Sequence, residues 1–220
     1  MTIPERTHTE KQRFWQAAPS PVKLRYVAAY ATGQTALDIG SGAGFYARAL
    51  SQRGFRVTAV DLNPAIPSPV PVAQARLNAL PFARPFDTVL CFDVLEHEPD
   101  EEGALRQLRR LVGRRLILSV PNADDHLLLP YNVTYKHHID KTHRREYVPD
   151  ELKARLTAAG FRLVCMRPEG PVHPAVLSEF IRPGWLRSPA QFLLKVLHRL
   201  RLLYNSQLMA DIYVVAEPEG

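Results

Sequence analysis

The segment Asp38-Ile39-Gly40-Ser41-Gly42-Ala43-Gly44 limits what this chain can fold into more than any other. A short apolar run, Thr35 to Ile39, leads straight into three glycines, and Phe45 to Arg53 then reads as a helix closed by Gly54. Arg56 to Val60 reads as a second strand that ends on Asp61. Glycines at a strand end let the backbone turn tightly and let a ligand approach without meeting a Cβ. In an open parallel sheet, ligands bind at that edge, outside the carboxyl ends of the strands.

The rest of the chain repeats the alternation. Ser20 to Ala31 has the spacing of a helix, with Val22, Tyr26, Val27 and Tyr30 apolar and Gly33 as a stop. A proline-rich connection from Asn63 to Pro71 excludes regular structure, and a weak third strand is expected near Val72 to Arg76. Phe86 to Phe92 reads as a buried strand, Asp100 to Val112 as a helix and Arg114 to Val120 as another strand. Glu151 to Ala159 follows as a helix, then Phe161 to Met166 and Asp211 to Ala216 as strands. Apolar strands alternating with helices mean a mostly parallel sheet covered on both faces, a three-layer α/β/α sandwich.

One domain is expected over residues 1–220, with a core from 20–166 and 209–217 and a substrate-covering insertion at 167–208. The balance of 46% hydrophobic and 23% charged residues is that of a soluble globular chain, and no stretch reaches the roughly 18 apolar residues of a membrane span. Met1 to Trp15 lacks the apolar run of a signal peptide, so a cytoplasmic location is the expectation. Cys91 and Cys165 each sit in an apolar run and read as small buried hydrophobes.

Two carboxylates qualify the glycine turn. Asp61 is placed to accept both hydroxyls of an adenosine ribose. Asp38 would repel a pyrophosphate but attract a cationic ligand, which favours S-adenosylmethionine over a dinucleotide.

At these residues the chain resembles the class I methyltransferases, whose sheet has seven strands with the last antiparallel. The resemblance runs from about Leu37 to Val164. It includes Val60-Asp61-Leu62-Asn63-Pro64, Ala79-Leu80-Pro81-Phe82, Phe86-Asp87-Thr88-Val89, Asp93-Val94-Leu95-Glu96-His97, Leu118-Ser119-Val120-Pro121-Asn122 and Ala158-Ala159-Gly160-Phe161. It implies S-adenosylmethionine as cofactor and S-adenosylhomocysteine as product. The implied cofactor contacts are Asp38, Gly40, Gly42, Gly44, Phe45, Asp61, Leu62, Leu77 and Phe92. Arg76 stands where the family usually carries an aspartate for the adenine amino group; Leu77 would meet the ring through its backbone.

Methyl transfer is an in-line displacement that mainly needs the acceptor held in place, and a hydroxyl acceptor also benefits from a base. His97, His138 and His143 are the candidate bases, clustered after the fourth strand and in the loop after the fifth. If a helix begins at Asp93, then Asp93, Glu96 and His97 share one face and, with His138, form a candidate divalent-metal site. That cluster resembles metal-assisted members of the family, among them RNA 2′-O-methyltransferases and some quinone-precursor O-methyltransferases. Tyr135 to Leu152, with Thr142-His143-Arg144-Arg145-Glu146-Tyr147 before Pro149-Asp150-Glu151-Leu152, resembles methyltransferases acting on sugars or glycan precursors.

From Phe180 to Ala210 there is no Asp or Glu, yet Arg182, Arg187, Lys195, Arg199 and Arg201 all fall there. Leu193, Val196, Leu197, Leu200 and Tyr204 repeat at helical spacing, with Lys195, His198 and Arg199 opposite. Such a basic amphipathic helix is either a lid over the acceptor or, over residues 187–204, a peripheral contact with an anionic membrane. The expected reaction is O-methylation of a small molecule or a sugar- or lipid-linked precursor. The competing readings are a metal-assisted RNA 2′-O-methyltransferase and a non-catalytic S-adenosylmethionine-binding protein. No aromatic-interleaved basic strand or RNA-binding module supports nucleic acid.

Overall fold

Residue period and strand pairing together build one seven-stranded sheet in the order β3-β2-β1-β4-β5-β7-β6. The computed structural model describes residues 18–62, 70–124, 126–127, 141–171, 181–200, 202 and 204–220. The strands are β1 (Thr35–Ile39), β2 (Arg56–Asp61), β3 (Val72–Gln74), β4 (Phe86–Phe92), β5 (Val112–Pro121), β6 (Phe161–Pro171) and β7 (Met209–Pro218). The helices are α1 (Pro21–Tyr30), α2 (Phe45–Gln52), α3 (Glu101–Leu111), α4 (Pro149–Ala158) and α5 (Arg187–Arg199). Pairings among β1 to β5 are parallel, and β7 runs antiparallel to both β5 and β6.

Alternate residues of each strand supply the two cores. Leu37, Ile39, Val89, Cys91, Leu116 and Leu118 face α3 and α4, which bury Leu105, Leu108, Leu111, Leu152 and Leu156 against them. Ala36, Leu90, Phe92, Ile117, Tyr213 and Val215 face the other way, onto Tyr26 and Val27 of α1 and Leu50 of α2. Each of these buried aliphatic side chains contributes about 1.5–3 kcal/mol through removal from water. The three-layer sandwich expected from the alternation is therefore the observed fold.

Helix ends follow local chemistry. Asp100 caps α3 by accepting from Gly103 N at 2.9 Å, with Glu101 and Glu102 in the first turn and Arg109 and Arg110 in the last, each sign facing the favourable end of the helix dipole. The Ser20 hydroxyl caps α1, accepting from Lys23 N at 3.5 Å.

Several boundaries differ from expectation. β3 stops at Gln74 rather than Arg76, and β6 runs through Pro171, so residues 167–171 belong to the sheet and not to the covering insertion. No apolar run marks that extension; its register against β7, down to Pro171↔Met209, creates it. Pro168 and Pro171 are tolerated there because β6 is an edge strand. The amphipathic helix spans Arg187–Arg199 instead of 191–204, beginning early because Pro189 suits a first turn. Cys165 is only half-buried, whereas Cys91 is fully enclosed. The connection at 63–69, most of the loop after β5 and His138 within it lie outside the described residues.

Two buried polar anchors tie the ends of the sheet to its surroundings. Asn122 Nδ2 donates to Ser206 O at 3.1 Å and to Met209 O at 2.8 Å, fixing the end of β5 against the start of β7. Tyr147 Oη donates to Glu101 Oε1 at 2.7 Å, and Arg155 pairs with the same carboxylate, so a buried charge is both bonded and neutralised. Among the described residues no helix is long and apolar enough to cross a membrane.

Candidate active site

β1 and β4 are neighbours at the point where the chain order reverses, and the glycine turn leaves the end of β1 there. Gly40 has φ 68°, and a Cβ built on it would meet Val94 Cγ2 at 2.3 Å, so only glycine permits the turn to pass under that side chain. Gly44 caps α2 in the left-handed region at φ 73°. Gly42 N donates to Asp61 Oδ2 at 2.8 Å, which ties the turn to the end of β2.

Asp38 is 1% exposed and its Oδ2 accepts from Ala47 N at 3.0 Å, in the first turn of α2. Burial raises its pKa to about 7, partly offset by that hydrogen bond, with Asp61 pushing it further up. Such a carboxyl is poised to ionise beside a cation. Ser41 Oγ is buried with no hydrogen-bond partner among the described residues. Phe45 begins α2, Phe92 lies almost fully buried at the end of β4 with its ring edge-on to Tyr46, and Leu62 is exposed just past β2. Leu77 is buried in the core by its side chain, which leaves only its backbone for a ligand, while Arg76 caps the short 3-10 turn Leu77–Ala79 and is exposed.

A second group of residues stands where β4 and β5 end and β7 begins, and only one of them was expected at the site. Asp93 takes φ 55°, unusual for a residue with a side chain. It is held there by Ser119 Oγ, which donates to Oδ1 at 2.7 Å, and by Lys23 Nζ from α1, which pairs with Oδ2. Burial would lower the Lys23 pKa, but the Asp93 carboxylate more than offsets this and the net shift is upward. Asp211, at the start of β7, is raised to about 7 by burial and then by Asp93. Lys23 and Asp211 were missed because nothing local marks them: one is a single lysine between Val22 and Leu24, the other the polar first residue of an apolar run.

Beyond Asp93 the chain does not form the α-helix that would align Asp93, Glu96 and His97. It makes a 3-10 turn, Leu95–His97, after the left-handed residue, so Asp93 points to Lys23 and Ser119 and is withdrawn from the expected metal set. Glu96 is 1% exposed, neither carboxylate oxygen has a hydrogen-bond partner among the described residues, and burial followed by the Asp93 charge raises its pKa well above the usual range. His97 Nε2 lies 3.9 Å from Glu96 Oε1, and its Nδ1 contacts Thr142 O at 3.3 Å and Thr142 Oγ1 at 3.2 Å. The His143 ring stands edge-on to His97 at 4.7 Å. Glu96, His97 and His143 each bring a ligand atom within 4.8 Å of the others. Among the described residues the candidate metal set therefore loses Asp93 and gains His143, while His138 lies outside them.

A family model described as a methyltransferase domain matches residues 10–166. The ubiquinone biosynthesis O-methyltransferase of Pseudomonas paraeruginosa is 32% identical over 125 residues, covering 47% of this chain and 52% of that protein. The protein of the same name from Xanthomonas oryzae pv. oryzae is 32% identical over 140 residues, covering 50% and 56%. The chain spans about half the length of the curated relatives it matches. Among solved structures, a SAM-dependent methyltransferase from Archaeoglobus fulgidus superposes with a TM-score of 0.66 at 20% identity, covering 96% of this chain and 100% of that one. The Burkholderia thailandensis 1,6-didemethyltoxoflavin-N1-methyltransferase, solved with bound 1,6-didemethyltoxoflavin and S-adenosylhomocysteine, gives 0.59 at 18% identity, covering 97% of this chain and 84% of that one. At these identities the two structures share the fold.

Proposed function

This chain belongs to the class I S-adenosylmethionine-dependent methyltransferases, and from that premise we propose that it methylates an oxygen of a small acceptor molecule. The residues present fit the cofactor: a glycine turn with no room for a Cβ at Gly40, a half-buried Asp61 beside it and a buried Asp38 behind it. In this reading Asp61 accepts from the ribose hydroxyls, and the backbone at Gly40, Gly42 and Gly44 lets the cofactor lie close. Phe45 and Leu62 border it, Leu77 meets the adenine through its backbone, Phe92 floors the pocket and Asp38 faces its cationic end. The bound cofactor supplies a sulfonium-activated methyl and leaves as S-adenosylhomocysteine.

The observation that supports an oxygen acceptor is the posture of His97. In the tautomer whose Nδ1–H donates to Thr142 O, Nε2 keeps its lone pair and can take a hydroxyl proton as the oxygen–methyl bond forms. The names of the curated relatives point to the same acceptor atom. Incubation with methyl-labelled cofactor and pooled phenols, amines and carboxylic acids should yield labelled methoxy products; labelled amines alone would overturn the reading.

Glu96 favours a second reading of the same three residues. A buried carboxylate with no hydrogen-bond partner among the described residues, gathered with two imidazoles, is the donor chemistry of a divalent cation site, which would bind and acidify the acceptor hydroxyl directly.

The insertion supports a peripheral contact with an anionic membrane and so a lipid-linked acceptor. Trp185 is 74% and Phe192 71% exposed, Leu193, Leu200 and Leu202 are exposed too, and Arg182, Lys195 and Arg199 lie among them with no acidic residue. Among the described side chains of α5 none is fully buried, which speaks against a tightly closed lid. Sedimentation with vesicles containing phosphatidylglycerol should carry the protein down, and Trp185→Ser with Lys195→Glu should abolish this; unchanged sedimentation of that variant would sink the contact.

A further inference from the structure

We propose that a cavity beside the candidate site, distinct from the cofactor cleft, binds the acceptor by an oxyanionic group, a carboxylate or phosphate carried on an apolar body. The cavity holds about 690 Å³, within the range of small-molecule pockets, and no residue of the glycine turn or of the Glu96 cluster lines it. Its walls come from α1, the extension of β6 and the end of the insertion.

Among the described residues three guanidiniums, of Arg25, Arg167 and Arg199, line this cavity against one carboxylate, Glu169. Glu169 is already committed: Arg25 pairs with it, and Tyr26 Oη donates to its Oε1 at 2.8 Å. Arg167 and Arg199 have no hydrogen-bond or ion-pair partner among the described residues, so the excess positive charge is theirs. Guanidinium groups bind carboxylate and phosphate oxygens through paired N–H donors, and a concave site weakens competition from water. Val22, Pro168, Pro171 and Met209 supply the apolar part of the wall.

Position links the cavity to the chemistry. Val22 lines it, while the next residue, Lys23, holds Asp93 in the candidate site. Gly170 lines it too, and a Cβ there would lie 3.2 Å from Asp211 Oδ2. An acceptor anchored by its anionic end would therefore present its other end toward the cluster where β4 and β5 end and β7 begins. This step rests on the methyl-transfer reading for the word acceptor, but the anion site itself does not.

The test is calorimetric titration of the full chain, saturated with S-adenosylhomocysteine, with phenyl phosphate, benzoate and phenol. The two anions should bind at least tenfold more tightly than phenol, and more weakly as sodium chloride rises from 0.05 to 0.5 M. Arg167→Gln with Arg199→Gln should weaken the anions by about tenfold or more per lost guanidinium contact. Phenol and cofactor affinity should stay unchanged, which also shows that the variant is folded. Anions no tighter than phenol, or undiminished in the double variant, would overturn the site. Anion binding by a protein that fails to bind S-adenosylmethionine would instead overturn the methyl-transfer reading and leave the anion site standing.

Discussion

Asp61→Ala is expected to weaken S-adenosylmethionine binding by roughly 10²- to 10⁴-fold. The carboxylate would make two charge-assisted bonds to the ribose, each worth about 1.5–3 kcal/mol. Its loss also releases Gly42 N, which now donates to Asp61 Oδ2 at 2.8 Å and holds the turn in shape. Asp61→Asn should fall between, since an amide keeps one acceptor oxygen. A dissociation constant within threefold of the parent, read by calorimetry on a variant with an unchanged melting temperature, would remove Asp61 from the cofactor site.

The same titration between pH 5.5 and 7.5 reads Asp38. Its folded pKa is about 7, raised mainly by burial, so the free protein must give up a proton there to meet a cation. A cationic ligand favours the ionised form, so affinity should be level above pH 7 and fall by up to about tenfold per unit below it. Asp38→Asn should flatten the profile at the weak end. For folding the sign is opposite: a carboxyl with a raised pKa costs stability as pH rises from its unfolded value near 4 to about 7, where the group ionises in the folded state.

The second large effect is on turnover. His97→Asn should lower kcat by about 10²- to 10⁴-fold with cofactor affinity unchanged, because a positioned base contributes that much to proton removal and does not touch the cofactor. The ring is held by Thr142 at 3.2–3.3 Å, so Thr142→Val should give a smaller loss and shift the pH profile of kcat. Dialysis against EDTA separates the two readings of the cluster. Activity that survives chelation supports the base; activity lost and restored by magnesium or zinc assigns Glu96, His97 and His143 to a cation. A His97→Asn enzyme with full kcat would end both.

The relation between sequence and structure divides along the distance over which each feature is decided. The alternation of strands and helices, the glycine turn between β1 and α2 and the Asp61 that closes β2 are written in local period and residue type, because a turn with φ 68° under Val94 admits only glycine. The parallel sheet follows from strands buried on both faces, and the antiparallel β7 came from the family resemblance. The site beyond the cofactor was legible only in composition. Of the histidines after β4 and β5, His97 and His143 stand together, but the expected helix at Asp93 is a left-handed residue and a 3-10 turn, which moved Asp93 from the metal set to Lys23 and Ser119.

The sequence by itself determined the order of elements, the fold class and the cofactor turn, since period and turn chemistry act over a few residues. Only the tertiary structure decided the company each charge keeps. Lys23 meets Asp93 across 70 positions, Arg25 and Arg167 share a cavity with Arg199, and Glu96 lies buried with no hydrogen-bond partner among the described residues. Burial and pairing are set by which segments the sheet brings together, and no window of the chain carries that information.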